Sequence, residues 1–238
     1  VDEAVYGPEC LELCTCYETG YVECQGARCP PSQSCLVRKG VRGCYTNEGV
    51  CSITQGRRLL TFDGHSAPIP GPGVYVLASV CNETAPGWFR ALVQFRPCLE
   101  GGEPGLSALF LHFDSAFIAV TVDRNIWVNG RAVAWHQLPY RLLLDVTIRS
   151  EAGAVIVEHS SGVWLKLSAD GELPVPVPVT VTVTVTVPES LRRQMCGTCG
   201  MFGAHHDGEL LMPDGSVTAD IPTFLTSWLA PEFTACLI

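Results

Sequence analysis

Residues 195 to 210 read MCGTCGMFGAHHDGEL, in which Cys196 and Cys199 stand three apart and His205, His206 and Asp207 follow. Thiols at this spacing could exchange electrons as a dithiol, hold zinc together with the imidazoles, or serve as two points of a disulfide framework. A redox dithiol normally sits at a helix N-terminus in an α/β setting, where the helix lowers the thiolate pKa. Here the pair follows β-patterned sequence and leads into glycines. For zinc, two adjacent histidines do not readily place both rings on one tetrahedron, and an oxidising compartment favours disulfides over thiolate ligands. Hydrolytic chemistry has less support, because the chain has no G-x-S-x-G elbow, no H-E-x-x-H and no P-loop. His65, His112, His136, His159, Asp114 and Asp123 are scattered among strand-like segments and define no triad. The reading is that of a non-enzyme.

The totals narrow the classes further. With 238 residues and 47% hydrophobic content the chain can bury a core, while only 16% of its residues are charged. Fifteen Lys and Arg face 24 Asp and Glu, for a net charge of −9, and no basic run exceeds the pairs Arg38-Lys39, Arg57-Arg58 and Arg192-Arg193. Nucleic acid is not an expected partner. No apolar run reaches the roughly 18 residues of a membrane helix, and no signal pattern opens the chain, which predicts a piece of a longer precursor without membrane insertion.

Thirteen cysteines are the strongest compositional fact. Cys10, Cys14, Cys16, Cys24, Cys29, Cys35, Cys44 and Cys51 crowd the start; Cys81, Cys98, Cys196, Cys199 and Cys236 are spread over the rest. With the glycosylation acceptor Asn82-Glu83-Thr84, this density points to a secreted, extracellular protein. The odd count leaves at least one thiol free or paired elsewhere.

Two regions are predicted to position these residues. Residues 1–46 carry few large apolar side chains and read as a small disulfide-rich module; the cysteine spacing lacks a C-x2-C pair there, which argues against zinc. Residues 47–238 alternate apolar segments with turn residues and read as all-β. Strands are predicted at 74–80, 88–96, 108–113, 117–123, 141–149, 154–159 and 163–168, with a hairpin at Asn129-Gly130, since a type I′ turn needs positive φ at both central residues. The run VPVPVTVTVTVTVP from Val175 to Pro188 puts valines on one face and threonines on the other, and its prolines suggest a protected sheet edge. A short helix is predicted within 218–229, with Ile221, Leu225 and Trp228 at helical spacing.

Four ordered landmarks now combine. They are the cysteine spacing of ECLELCTCYETGYVECQGARCPPSQSCLVRKGVRGCY, then Cys51 followed by Thr61-Phe62-Asp63-Gly64, then GVYVLASVC ending at Cys81, then Cys196-Gly-Thr-Cys199-Gly200 with Ser227-Trp228 beyond. Together they resemble the von Willebrand factor type D domain, preceded by the small cysteine-rich module that follows a trypsin-inhibitor-like segment in D assemblies. The resemblance implies a two-sheet β sandwich. It implies disulfides Cys51–Cys199 and Cys81–Cys196, so that the opening motif is a pair of staples. Gly73 stands where the family commonly has a cysteine partnering the C-terminal one, which leaves Cys98 and Cys236 to bond each other or leaves a free thiol.

The family's usual cofactor is calcium, bound by the Asp of TFDG and by side chains after CGxCG. Asp63 is present, but Met201 and Gly203 replace Asn and His205 replaces Asp. Asp207 and Glu209 are the nearby carboxylates, so the implied site, Asp63, His205, Asp207 and Glu209, is degenerate, and no cofactor other than calcium is implied. Some relatives self-cleave at Gly-Asp-Pro-His; Gln55-Gly56-Arg57-Arg58 lacks that acid and is expected to stay intact. The resemblance implies a glycosylated module of a matrix, egg-coat or mucus-type glycoprotein that contributes to assembly or adhesion. Its expected partners are other modules of the same precursor, further extracellular glycoproteins, or copies of itself in a homo-oligomer or polymer. The alternative is a module that recognises one extracellular protein or glycan.

Overall fold

The computed structural model describes residues 3–30, 33–38, 40–54, 57–96, 105–142, 145–170, 180–203 and 210–233. The chain divides into two compact units, Val1–Glu48 and Gly49–Ile238.

The first unit holds strands β1 (Glu3–Tyr6), β2 (Glu12–Cys16) and β3 (Val22–Gly26) in one antiparallel sheet, and β4 (Gln33–Arg38) with β5 (Val41–Thr46) in a hairpin. Among its described residues only Cys10 is buried, while Leu11, Tyr21, Val22, Val37 and Val41 are all more than half exposed. Cystines do the work that a core would do. Cys14–Cys24 joins directly opposed residues of β2 and β3; Cys10–Cys35 and Cys29–Cys44 tie the three-stranded sheet and its flanks to the hairpin.

β6 (Glu48–Thr54) leads into the second unit, where it joins β7 (Arg58–Leu60) and β8 (Ser66–Pro68) in an eight-stranded sheet. Strands β9 (Gly73–Val80), β10 (Phe89–Arg96), β11 (Gly105–Phe113), β12 (Ala116–Thr121), β13 (Ile126–Val128) and β14 (Arg131–Val133) follow as a meander. The chain then returns to the first sheet through β15 (Tyr140–Leu142), β16 (Val146–Glu151), β17 (Ala154–His159), β18 (Trp164–Asp170) and β19 (Thr180–Pro188). After β20 (Met195–Cys196) and α1 (Ile221–Ser227) the sheets read β14-β13-β12-β11-β10-β9-β20 and β15-β16-β17-β18-β19-β6-β7-β8. Their inner faces share one apolar core that includes Leu109, Leu111, Ile118, Ile148, Val157, Leu165, Val183 and Val185. The expected two-sheet sandwich with a single short helix is therefore present.

Local chemistry accounts for the junctions. Asn129 and Gly130 take φ of 50° and 78° and turn β13 into β14. Asp220 caps α1 by accepting from the Thr223 amide, and Pro222 occupies the first turn, where its missing N–H costs nothing. Two expectations need correction. The 141–149 segment is two strands, β15 and β16, paired antiparallel with Leu142 opposite Val146. The valine-threonine repeat lies between β18 and β6 rather than at a sheet edge; period two specifies which face is buried and says nothing of what lies alongside. Val183, Val185 and Val187 are fully buried, and Thr186 is buried on the opposite face. Pro176 and Pro178 lie outside the described residues.

Candidate functional site

β9 organises the site. Every residue from Gly73 to Val80 is buried, so both faces of this strand are covered. One face meets the core. The C-terminal segment pairs with the edge of β9 away from β10: Val76 N–H donates to the Trp228 carbonyl, Ala230 N–H to the Val74 carbonyl, and Tyr75 and Leu229 form an antiparallel bridge. Gly73 has φ of 146°, a backbone conformation that side chains rarely adopt, which favours glycine at this position.

The CGTC motif docks on the same edge of β9, further along the strand. Met195 and Cys196 pair with Val80 and Ser79; Cys81 N–H donates to the Gln194 carbonyl, and the amides of Thr198 and Cys199 donate to the carbonyls of Val76 and Leu77. Gly197 permits this approach. Its φ is 115°, and a Cβ would lie 2.7 Å from the Leu77 carbonyl oxygen, so a side chain would drive the backbones apart.

This docking places Cys196 against Cys81 and Cys199 against Cys51, with Sγ–Sγ distances of 1.97 and 1.99 Å. The first bond staples β20 to the end of β9. The second runs between sheets, because Cys51 belongs to β6 and Cys199 is held to β9, and both residues are fully buried. Sulfurs committed to these bonds have no thiolate to offer a metal or a substrate. Cys16 is the one described cysteine outside a disulfide, and it is exposed. Cys98 and Cys236 lie outside the described residues.

The TFDG turn closes over the same motif. Phe62 N–H donates to the Cys199 carbonyl, Gly64 N–H to the Thr61 carbonyl, and the Phe62 and Phe202 rings lie 5.9 Å apart. Asp63 Oδ1 accepts from the Gly203 amide at 3.1 Å, across 140 residues of sequence. Asp63 is the only member of the expected calcium set among the described residues; His205, Asp207 and Glu209 fall outside them. Calcium takes six to eight oxygens. Asp63 supplies one carboxylate toward such a set. The metal-like clusters among the described residues, Cys10/Cys29/Cys44 and Glu12/Cys14/Cys24, are built on cystine sulfurs.

Asn82 is exposed just after β9, and its Oδ1 accepts from the amide and hydroxyl of Thr84 at 3.1 and 2.8 Å, closing the turn of the acceptor sequence. Of the cleavage-motif positions, Arg57 and Arg58 are described and Gln55 and Gly56 are not; Arg58 Nε donates to Ser66 Oγ. No helix among the described residues is long and apolar enough to cross a membrane.

Two further histidines sit in aromatic surroundings. His112 lies 4.6 Å from the Phe117 ring and near Phe233, and His159 stacks on Phe113 at 5.0 Å. Burial pushes both imidazoles below their usual pKa; Arg90 adds to the effect at His112, where Glu232 opposes it, and Asp145 and Asp114 oppose it at His159. Sequence reasoning missed the roles of Gly73 as a positive-φ position at the start of β9 and Gly197 as the point of close backbone approach. The signal for Gly197 was its place between two cysteines in a tight motif, which points to backbone approach.

Comparison with known proteins agrees with this geometry. The family model of the von Willebrand factor type D domain matches residues 51–216, and that of the TILa domain matches residues 1–45. The human (Homo sapiens) IgGFc-binding protein is 30% identical over 240 residues, covering 99% of this chain and 4% of that protein. Zonadhesin of Oryctolagus cuniculus is 28% identical over 225 residues (92% of the chain, 9% of that protein), and alpha-tectorin of Mus musculus 21% over 221 (92% and 10%). The chain therefore spans a tenth or less of the length of these relatives. By the model match, the landmarks around β9 and the cystine-rich leader, the chain belongs to the von Willebrand factor type D domain family, with a TILa domain ahead of that domain.

Proposed function

We propose that the chain is a scaffold module of a secreted extracellular glycoprotein, of matrix, egg-coat or mucus type, that works by transmitting load and contributing to assembly rather than by catalysis. The observation that carries this reading is the buried Cys51–Cys199 bond between the two sheets. Tension entering before Cys51 and leaving after Cys199 passes through that covalent bond, and the chain between them cannot extend. Its partners are neighbouring modules of the same precursor, other extracellular glycoproteins, or further copies in an oligomer or polymer. Asn82 carries an N-linked glycan on an exposed turn, and the loop beside Asp63 holds calcium weakly or not at all.

Single-molecule pulling tests the scaffold reading. The 148-residue separation of Cys51 and Cys199 corresponds to about 500 Å of extended chain. That length is absent from oxidised traces and appears after reduction. Release of the full length without reductant contradicts the reading.

A second reading, recognition of one extracellular protein or glycan, is favoured by a tryptophan-lined cleft at the β13–β14 end of the second unit.

A further inference from the structure

The cleft is about 530 Å3 and is lined by Arg124, Asn125, Trp127, Ala132, Trp135 and Gln137, with Ile126, Val133 and Ala134 completing its walls. Its size falls within the range of small-ligand sites. In β13, Ile126 and Val128 face the core, so alternation turns Trp127 to the outer face. Its cross-strand neighbours there are the small residues Ala119 and Ala132, and Trp127 itself is partly buried. Trp135 is fixed differently: its Nε1–H donates to the Arg124 carbonyl at 2.9 Å, and its ring packs against the core.

The polar lining is rich in donors. Gln137 Oε1 accepts from the Ala134 amide at 2.8 Å, which leaves its NH2 for a ligand. The Trp127 indole N–H, the side-chain amide of Asn125 and the Arg124 guanidinium, which lies beside Gly153 at the rim of the cleft, have no hydrogen-bond or ion-pair partner among the described residues. Half-buried indole N–H groups normally find a partner, and an unpaired guanidinium suits a carboxylate or sulfate.

We infer that this cleft binds an acidic saccharide, with the apolar face of a pyranose ring on the Trp127 indole and its carboxylate or sulfate on Arg124. The inference rests on the recognition reading and is independent of the scaffold reading. An extended peptide, which would pair with the open edge of β14, is the competing occupant that the test separates.

The test uses the whole oxidised chain, with saturation-transfer NMR and tryptophan fluorescence. The probes are 3′-sialyllactose, 3′-sulfolactose and lactose. The sialylated probe, the sulfated probe or both bind about tenfold or more tightly than lactose, and which one does so distinguishes the source of the charge. Trp127→Ala, on an outer face, abolishes binding of all three while the circular dichroism and disulfide map are unchanged. Arg124 has φ of 63°, a conformation that asparagine tolerates. Arg124→Asn therefore keeps the turn, retains lactose binding and removes the preference for the acidic probes. Absence of saturation transfer from every sugar, or sugar binding undiminished in Trp127→Ala, overturns the inference. So does quenching by an acidic peptide where the sugars are silent, an outcome that leaves the recognition reading standing.

Discussion

In the first unit one described residue, Cys10, is buried, and three disulfides close separations of 25, 10 and 15 residues. In the second unit a continuous apolar core fills the space between two sheets, and the disulfides close separations of 148 and 115. The same chemical bond thus plays two parts. Short loops of cystine replace a core that about 48 residues cannot build; long ones fasten the end of an already packed sandwich to its beginning. The comparison predicts that the two units respond differently to the same perturbation.

The largest difference appears on reduction. With each short cystine contributing about 3 kcal/mol in the chain-entropy model, the first unit has no reserve and unfolds completely, whereas the second stays folded. Limited proteolysis with and without reductant checks this; cleavage is confined to residues before Gly49 after mild reduction. Next comes the paired substitution Cys51→Ala with Cys199→Ala, which, with the nested Cys81–Cys196 bond kept, costs the second unit about 4 kcal/mol and leaves the first unchanged, read as a shift in denaturant midpoint. Gly197→Ala follows at about 2–4 kcal/mol, because the new methyl meets the Leu77 carbonyl and the residue must keep positive φ; the same midpoint measures it.

Acid sharpens the contrast with a smaller effect. His112 and His159 both lie in the second unit, and both have pKa values lowered on folding, chiefly by burial. Their contribution is fully present above the unfolded value of about 6.5 and is lost as pH falls from there towards the folded values, because the unfolded chain then binds more protons. Melting curves of the second unit between mildly acidic and neutral pH show this loss, and His112→Gln with His159→Gln flattens it. Calcium has the smallest effect. Millimolar calcium and excess chelator give stabilities of the second unit within ~0.4 kcal/mol, the value expected when ligand only matches its Kd.

Much of the sandwich was legible in the sequence because its signals are local. Asn129-Gly130 requires a turn that few other pairs permit, 154–159 reads directly as a strand, and the spacing of Ile221, Leu225 and Trp228 marks the helix. Features set by distant neighbours were not legible. Nothing in Val175–Pro188 says which strands flank it, and nothing near Arg141 says that β15 and β16 are separate strands paired with each other. Cysteine pairing is a further case: spacing alone allows many connectivities, and the expected pairs came from family resemblance. The tryptophan cleft had a readable clue, since Ile126 and Val128 point inward and leave Trp127 outward. Its depth depends on Ala119, Ala132 and the 3-10 turn at Trp135–Gln137, which no short window contains.

A disulfide map of the intact, unreduced protein by mass spectrometry tests the central claim most directly. The account predicts cross-linked peptides joining Cys51 to Cys199 and Cys81 to Cys196, with no alkylation at any of the four before reduction. Alkylation of Cys196 or Cys199 in native protein, or a stoichiometric metal ion held by them, contradicts it.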